Sequence, residues 1–227
     1  MSKIGSLPVI RDVASFFRRR VYRKIVLDIL RRPLSLPNAR IPGGRRNALQ
    51  VDGTQGPQDE FSMSEGTHEI VEIMAKTFPK EKIPYFHEMV DDPHVDFVVR
   101  LRDDGECWGY MMNSRKPFRD RLFGFTVPIE PTEVFQFDGW VHPDHRGRLL
   151  GIAGQNWVFD RRRAEGFEAT VVTVRRQDKA ARRYHVRYGF EPIGIVTHWR
   201  IGPFKINRVQ LDRSKLEAAP AEADAQA

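Results

Sequence analysis

Cysteine is nearly absent from this 227-residue chain. With Cys107 alone, neither an internal disulfide framework nor a cysteine-cluster metal site can form, which fits a reducing, cytoplasmic setting. Long apolar runs are missing too. No stretch of about 18 apolar residues occurs, so no membrane-spanning helix is expected. The first residues lack the unbroken apolar core and small-residue cleavage site of a signal peptide. Acidic residues are scarce at one end only. Residues 1–50 hold twelve Lys/Arg against Asp12 and Asp28, while the whole chain carries +7. The basicity therefore belongs to the N-terminal segment, and the body is slightly acidic. A high pI is thus no argument for nucleic-acid binding by the whole protein.

What is present divides the chain into four parts. Residues 1–32 are expected to hold a basic amphipathic helix over 8–31, opened by Pro8 and closed by Arg32 and Pro33. Ile10, Val13, Phe17, Val21 and Ile25 recur at spacings of three and four and form its apolar stripe. Residues 33–62 carry prolines and glycines without periodicity and read as a linker. Residues 63–212 are long enough for one domain, and 213–227 are Ala/Glu/Asp-rich and expected to be disordered.

Within the domain, helices are expected over 68–78 and near 83–90. Strands are expected at 95–101 and 107–112, joined by a Gly105 turn, with a further strand at 123–129. Then come a strand over 133–141, a helix over 150–165 stopped by Gly166, and a strand over 169–174. A helix over 179–188 stopped by Gly189 and a last strand over 194–201 follow. The fold class is a mixed α/β sheet with a crossover helix, not a doubly wound alternation. Trp157 and Phe159 on the 150–165 helix are expected in the core.

The strand-to-helix junction Val141-His-Pro-Asp-His-Arg-Gly-Arg-Leu-Leu-Gly151 is the most informative segment. Unpaired backbone N–H groups at a helix start, the helix dipole and two nearby arginines make a site for a phosphate or pyrophosphate. Gly147 and Gly151 allow close backbone approach, and Arg146 and Arg148 add charge. The bland alternative is a surface turn with solvated arginines. His142, Asp144 and His145 offer a His-x-x-His spacing but no third ligand nearby, so no metal is expected.

This segment resembles the acyl-CoA loop of the GNAT acyltransferase superfamily, in which a Val-x-Pro strand end leads into an Arg/Gln-x-x-Gly-x-Gly/Ala turn. A second segment, Asp178-Lys-Ala-Ala-Arg-Arg-Tyr-His-Val-Arg-Tyr-Gly-Phe190, resembles the family's Asn-x-x-Ala-x-x-x-Tyr-x-x-x-Gly-Phe pattern. The resemblance covers residues 64–201 and implies a GNAT-like, mostly antiparallel sheet flanked by helices. It also implies acetyl-CoA or another acyl-CoA as co-substrate. Val141, Arg146, Gly147, Arg148, Leu149, Leu150, Gly151 and Asp178 would bind it. Leu149 departs from the pattern, standing where a glycine is expected. His185 occupies the position of the family's general-acid tyrosine, with Tyr184 one residue earlier; both are candidates for protonating the CoA thiolate. Glu133 and Asp138 are the nearest carboxylates for taking a proton from the amine. Simple alternation would put Gln136, Asp138 and Trp140 on one face and Glu133, Phe135 and Phe137 on the other, with Asp138 nearer the loop.

The implied reaction is direct transfer of an acetyl or longer acyl group to a small-molecule or peptide amine. The alternative is a catalytically inactive acyl-CoA-binding or interaction module. The basic segment 8–31 could dock on its own domain or lie on an anionic membrane surface, making the protein peripheral to the inner face. Nucleic acid is disfavoured, because no aromatic-interleaved module follows the basic segment. A homodimer is compatible with the sequence.

Overall fold

The computed structural model describes residues 22–38, 61–102, 104–146, 150–201 and 203–214. Among the described residues, eight strands form one sheet. In chain order they are β1 (Tyr22–Pro33), β2 (Phe61–Glu65), β3 (Val95–Arg102), β4 (Cys107–Ser114), β5 (Glu133–Val141), β6 (Ala169–Arg175), β7 (Glu191–Ile201) and β8 (Phe204–Leu211). The helices are α1 (His68–Met74), α2 (Ile83–Asp91), α3 (Leu150–Ala164) and α4 (Lys179–Arg187). Short 3-10 turns cover Lys80–Lys82 and Pro143–His145. The sheet order is β2-β3-β4-β5-β6-β1-β7-β8. Among the described strands only β5 and β6 run parallel. That pairing requires a crossover, which α3 supplies. No helix among the described residues is long and apolar enough to cross a membrane.

The chain's local chemistry sets most of these boundaries. Thr67 caps α1 by accepting from the Ile70 N–H at 3.2 Å. Asp178 caps α4 through the Ala181 N–H at 2.9 Å. Gly166 and Gly189, at φ of 88° and 79°, end α3 and α4 in the left-handed conformation. One sheet face buries α1, α2 and the 115–132 loop through Val71, Met74, Phe86, Phe97, Met112, Phe125, Phe135 and Val171. The other buries α3 and α4 through Leu30, Phe159, Val172, Val174, Tyr188 and Phe190. Arg162 is fully buried on α3 and pairs with Asp96 of β3 at 2.7 Å, pinning the crossover helix to the sheet.

The helix over 8–31 is not what residues 22–33 form: they make β1, which lies inside the sheet between β6 and β7. The reason is two-sided burial. Leu27 and Ile29 enter one core cluster while Leu30 enters the other, and Arg32 is buried beside it. Such a short apolar run fits helix and strand spacing equally well, and tertiary contacts decide it. Residues 8–21 of that predicted helix, most of the 33–62 linker, and the tail from 215 onward lie outside the described residues. The domain therefore includes β1, which the 63–212 boundary leaves out.

The strand expected at 123–129 does not form. Only an isolated bridge, Arg119 to Thr126, exists there, and the segment is a loop that inserts Phe123, Phe125 and Val127 into the core. Trp157 is half-buried under Arg161, 5.5 Å from its ring, and only Phe159 is core.

Candidate active site

β5 pairs with β6 from Glu133↔Ala169 to Gln136↔Val172, and there the pairing ends. On its other side β5 stays paired with β4 as far as Val141. The two parallel strands therefore diverge beyond Gln136, which leaves the β6-facing backbone of residues 137–141 without a ladder partner. A cleft of about 540 Å³ opens between them, lined by Asp138, Trp140 and Val141 of β5, Val174 of β6, and Tyr184 and His185 of α4.

A bulge in β5 aims its side chains. The β4–β5 register slips between Tyr110↔Trp140 and Met112↔Phe137, so Asp138 and Gly139 stand opposite Met111. Asp138 has φ 37°, a left-handed conformation that aspartate tolerates better than most residues. The extra residue breaks the simple alternation. Gln136 faces α3, where its side-chain amide exchanges hydrogen bonds with that of Gln155. Trp140 now shares the α1/α2 face with Phe137 and Tyr110. Gln136, Asp138 and Trp140 are thus not on one face, contrary to the sequence expectation.

Asp138 sits in a small polar cluster within aromatic walls. Tyr110 Oη donates to Asp138 Oδ1 at 2.9 Å, and Lys82 Nζ donates to Tyr110 Oη. Lys82 Nζ is also 3.9 Å from Asp138 Oδ2. Its ammonium lies 4.8, 5.2 and 5.4 Å from the ring centroids of Tyr110, Phe86 and Phe78, within cation–π range. Burial first, and then the Asp138 charge, push the phenols of Tyr110 and Tyr85 far above the usual tyrosine range, so both stay protonated. None of Tyr110, Lys82 and Tyr85 was picked out from the sequence. The one legible signal was a polar-tipped tyrosine inside the buried strand Cys107–Ser114.

Glu133, the other carboxylate candidate, is not part of this cluster. It lies at the closed end of β5, 1% exposed, with Arg31 Nε at 2.6 Å and both Arg213 terminal nitrogens at 2.9 Å. Desolvation would raise its pKa, but hydrogen bonds from Arg213, the Glu130 N–H and Arg31 outweigh that and hold it low. It is a structural anion that ties β1 and the residues after β8 to β5.

On α4, His185 Nδ1 lies 2.9 Å from the Ala181 carbonyl. A carbonyl can only accept, so Nδ1 carries the proton and Nε2 of the neutral ring is an acceptor. Nε2 is buried without a protein partner among the described residues, and burial lowers the imidazole pKa below 6.5. His185 therefore holds its proton on the nitrogen engaged with the backbone. Tyr184, also at the cleft, is kept protonated by burial. Its ring packs against Tyr188 at 4.8 Å, as expected of residues four apart on a helix.

For the anion loop, Arg146 is exposed and donates through Nε to the Val141 carbonyl at 3.1 Å. Leu150 and Gly151 open α3. Gly147, Arg148 and Leu149 lie outside the described residues. Asp178 borders the cleft as the cap of α4.

The sequence model of the Acetyltransferase (GNAT) family matches residues 64–190, more than half of the chain. The chain belongs to the GNAT family. No curated protein matches the sequence. Solved structures share the GNAT fold at low identity. A tandem GNAT protein from the clavulanic acid biosynthesis pathway superposes with a TM-score of 0.51 at 13% identity, over 92% of this chain and 60% of the other. A GCN5-related N-acetyltransferase from Sphaerobacter thermophilus gives 0.51 at 14%, over 84% and 56%. A functionally unknown conserved protein from Staphylococcus epidermidis gives 0.51 at 9%, over 88% and 70%. This chain spans 60% or less of the length of the first two, and the likeness concerns the GNAT fold alone.

Proposed function

We propose that the protein is an N-acyltransferase that moves an acetyl or longer acyl group from acyl-CoA directly to an amine. The carrying observation is the divergence of β5 and β6, with a carboxylate, two phenols and a histidine around one cleft. GNAT membership supports acyl transfer from acyl-CoA in general. The thioester would lie along the unpaired backbone of residues 137–141, whose N–H groups can stabilise charge developing on its carbonyl oxygen. Residues 146–151 would receive the pyrophosphate at the start of α3.

Asp138 is the proton acceptor for the incoming amine, directly or through Tyr110, whose hydroxyl already donates to it. Loss of that proton leaves the amine lone pair free to attack the thioester carbon, and the carbon–sulfur bond breaks as the amide forms. The leaving thiolate needs a proton donor. We assign this to Tyr184, because its phenol stays protonated while the free nitrogen of His185 is an acceptor.

Two measurements test this. Binding of CoA, acetyl-CoA and a longer acyl-CoA should each raise the melting temperature. No shift with any of them would leave only the interaction-module alternative standing. In a thiol-release assay against a panel of amines, Tyr184→Phe should lower kcat by about 10²-fold. His185→Phe should cost less than about tenfold; the opposite ranking would return the acid role to His185. His185 also predicts a pH effect on stability. Its folded pKa lies below 6.5, so the unfolded chain binds the proton more readily and wild type loses stability as pH falls through 6.5. Urea midpoints of His185→Phe should be flatter across that window.

A further inference from the structure

The position an amine would take beside Asp138 is already filled by one of the protein's own amines. Lys82 sits in the 3-10 turn Lys80–Lys82 before α2, and its side chain reaches back to the bulge of β5. There Phe78, Phe86 and Tyr110 surround the ammonium, and Asp138 supplies the opposite charge at 3.9 Å. The hydrogen bonds run in one direction, from Lys82 Nζ to Tyr110 Oη and from Tyr110 to Asp138 Oδ1. That is a route for moving a proton off an ammonium and onto the carboxylate. Lys82 keeps a third of its side chain exposed. Tyr110 and Asp138, its two polar partners, both border the cleft.

We propose that the ε-amine of Lys82 is itself an acyl acceptor of this site, so that acyl-CoA leads the protein to acylate its own Lys82. The inference rests on the acyl-transfer reading above. In the reaction, the Lys82 ammonium gives one proton through Tyr110 to Asp138, and Nζ forms a bond to the thioester carbonyl carbon. The carbon–sulfur bond breaks, and the second proton lost from nitrogen accounts for the thiol of free CoA. The products are an N-acyl lysine, CoA and one released proton. The amide no longer carries charge, so the aromatic walls and Asp138 lose their cation and the acceptor position is closed by a neutral side chain. Acylation of Lys82 would thus make the enzyme's occupancy of its acceptor site respond to the acyl-CoA supply.

The test incubates the full-length protein with acetyl-CoA and follows Lys82 and Lys80 by peptide mass spectrometry. Lys80 lies two residues away and outside the cluster, so it reports uncatalysed acylation. A positioned base contributes about 10²–10⁴-fold, so Lys82 should gain one acetyl group at least ~10²-fold faster than Lys80. Lys82→Arg should abolish that adduct. Asp138→Asn should slow it to the Lys80 rate while the CoA-induced thermal shift persists, which shows that the variant still folds. Equal rates at Lys80 and Lys82, or an Asp138→Asn rate equal to wild type, would overturn the proposal. If CoA binds and soluble amines are acylated while Lys82 stays free, the proposal alone fails. If no CoA species binds, the acyl-transfer reading falls with it.

Discussion

Asp138→Asn should lower kcat/KM for acyl transfer by about 10²–10⁴-fold while leaving the fold intact. The expectation has two parts. Asparagine keeps the shape and can still accept from Tyr110 through its amide oxygen, but it cannot take the amine's proton. It also tolerates the left-handed backbone at φ 37°, where an alanine would add strain of about 1–2 kcal/mol. Asparagine therefore isolates the chemistry from the conformation. The melting temperature and CoA-induced shift should match wild type, with the loss confined to turnover. Activity within a few-fold of wild type would remove Asp138 as the base. A matching loss in Asp138→Asn and Tyr110→Phe, with no further loss in the double variant, would identify the two as one relay.

Glu133→Ala should be the most destabilising single change in the charged framework, by about 3 kcal/mol. Removing one partner from a buried ion pair costs about 3–5 kcal/mol, because the remaining charge stays desolvated. The lower end applies here, since Arg31 and Arg213 keep 16% and 26% of their side chains in contact with water. The pH dependence has a definite sign. The folded pKa of Glu133 is held below its ordinary 4.5, so its contribution is fully present above that value. It is lost as pH falls from 4.5 through the folded value. Wild type should lose stability across this window more steeply than Glu133→Gln, as measured by urea unfolding at stepped pH. Parallel curves for the two proteins would contradict the assignment.

The legibility of this chain differed sharply from one segment to the next. β5, α3, β6 and α4 were readable because their ends are marked chemically, by Pro143, Gly166, Asp178 and Gly189. The GNAT resemblance rested on those same segments, and the family match confirms it. The bulge was invisible, because one extra residue in a strand changes pairing without changing composition. That single slip moved Trp140 to the other face and set Asp138 against Tyr110. Lys82 and Tyr110 carry no local signature and meet Asp138 only after β4, β5 and the turn before α2 have packed. β1 was misread for a related reason: its apolar residues serve two cores at once, and an isolated window cannot show two cores.

The central placement of β1 also bears on how the chain is made. The strand that fills the slot between β6 and β7 leaves the ribosome before either of them exists. Asp28 meets Arg176 across 148 residues of sequence, and Leu27 pairs with Arg175. At about 5–20 residues per second, that gap is on the order of ten seconds of synthesis. Through that interval Ile25 to Leu30 is an apolar segment with both edges open, the kind of segment that invites chaperones or other nascent chains. A fold with such distant partners inside its sheet has a high contact order and should mature slowly.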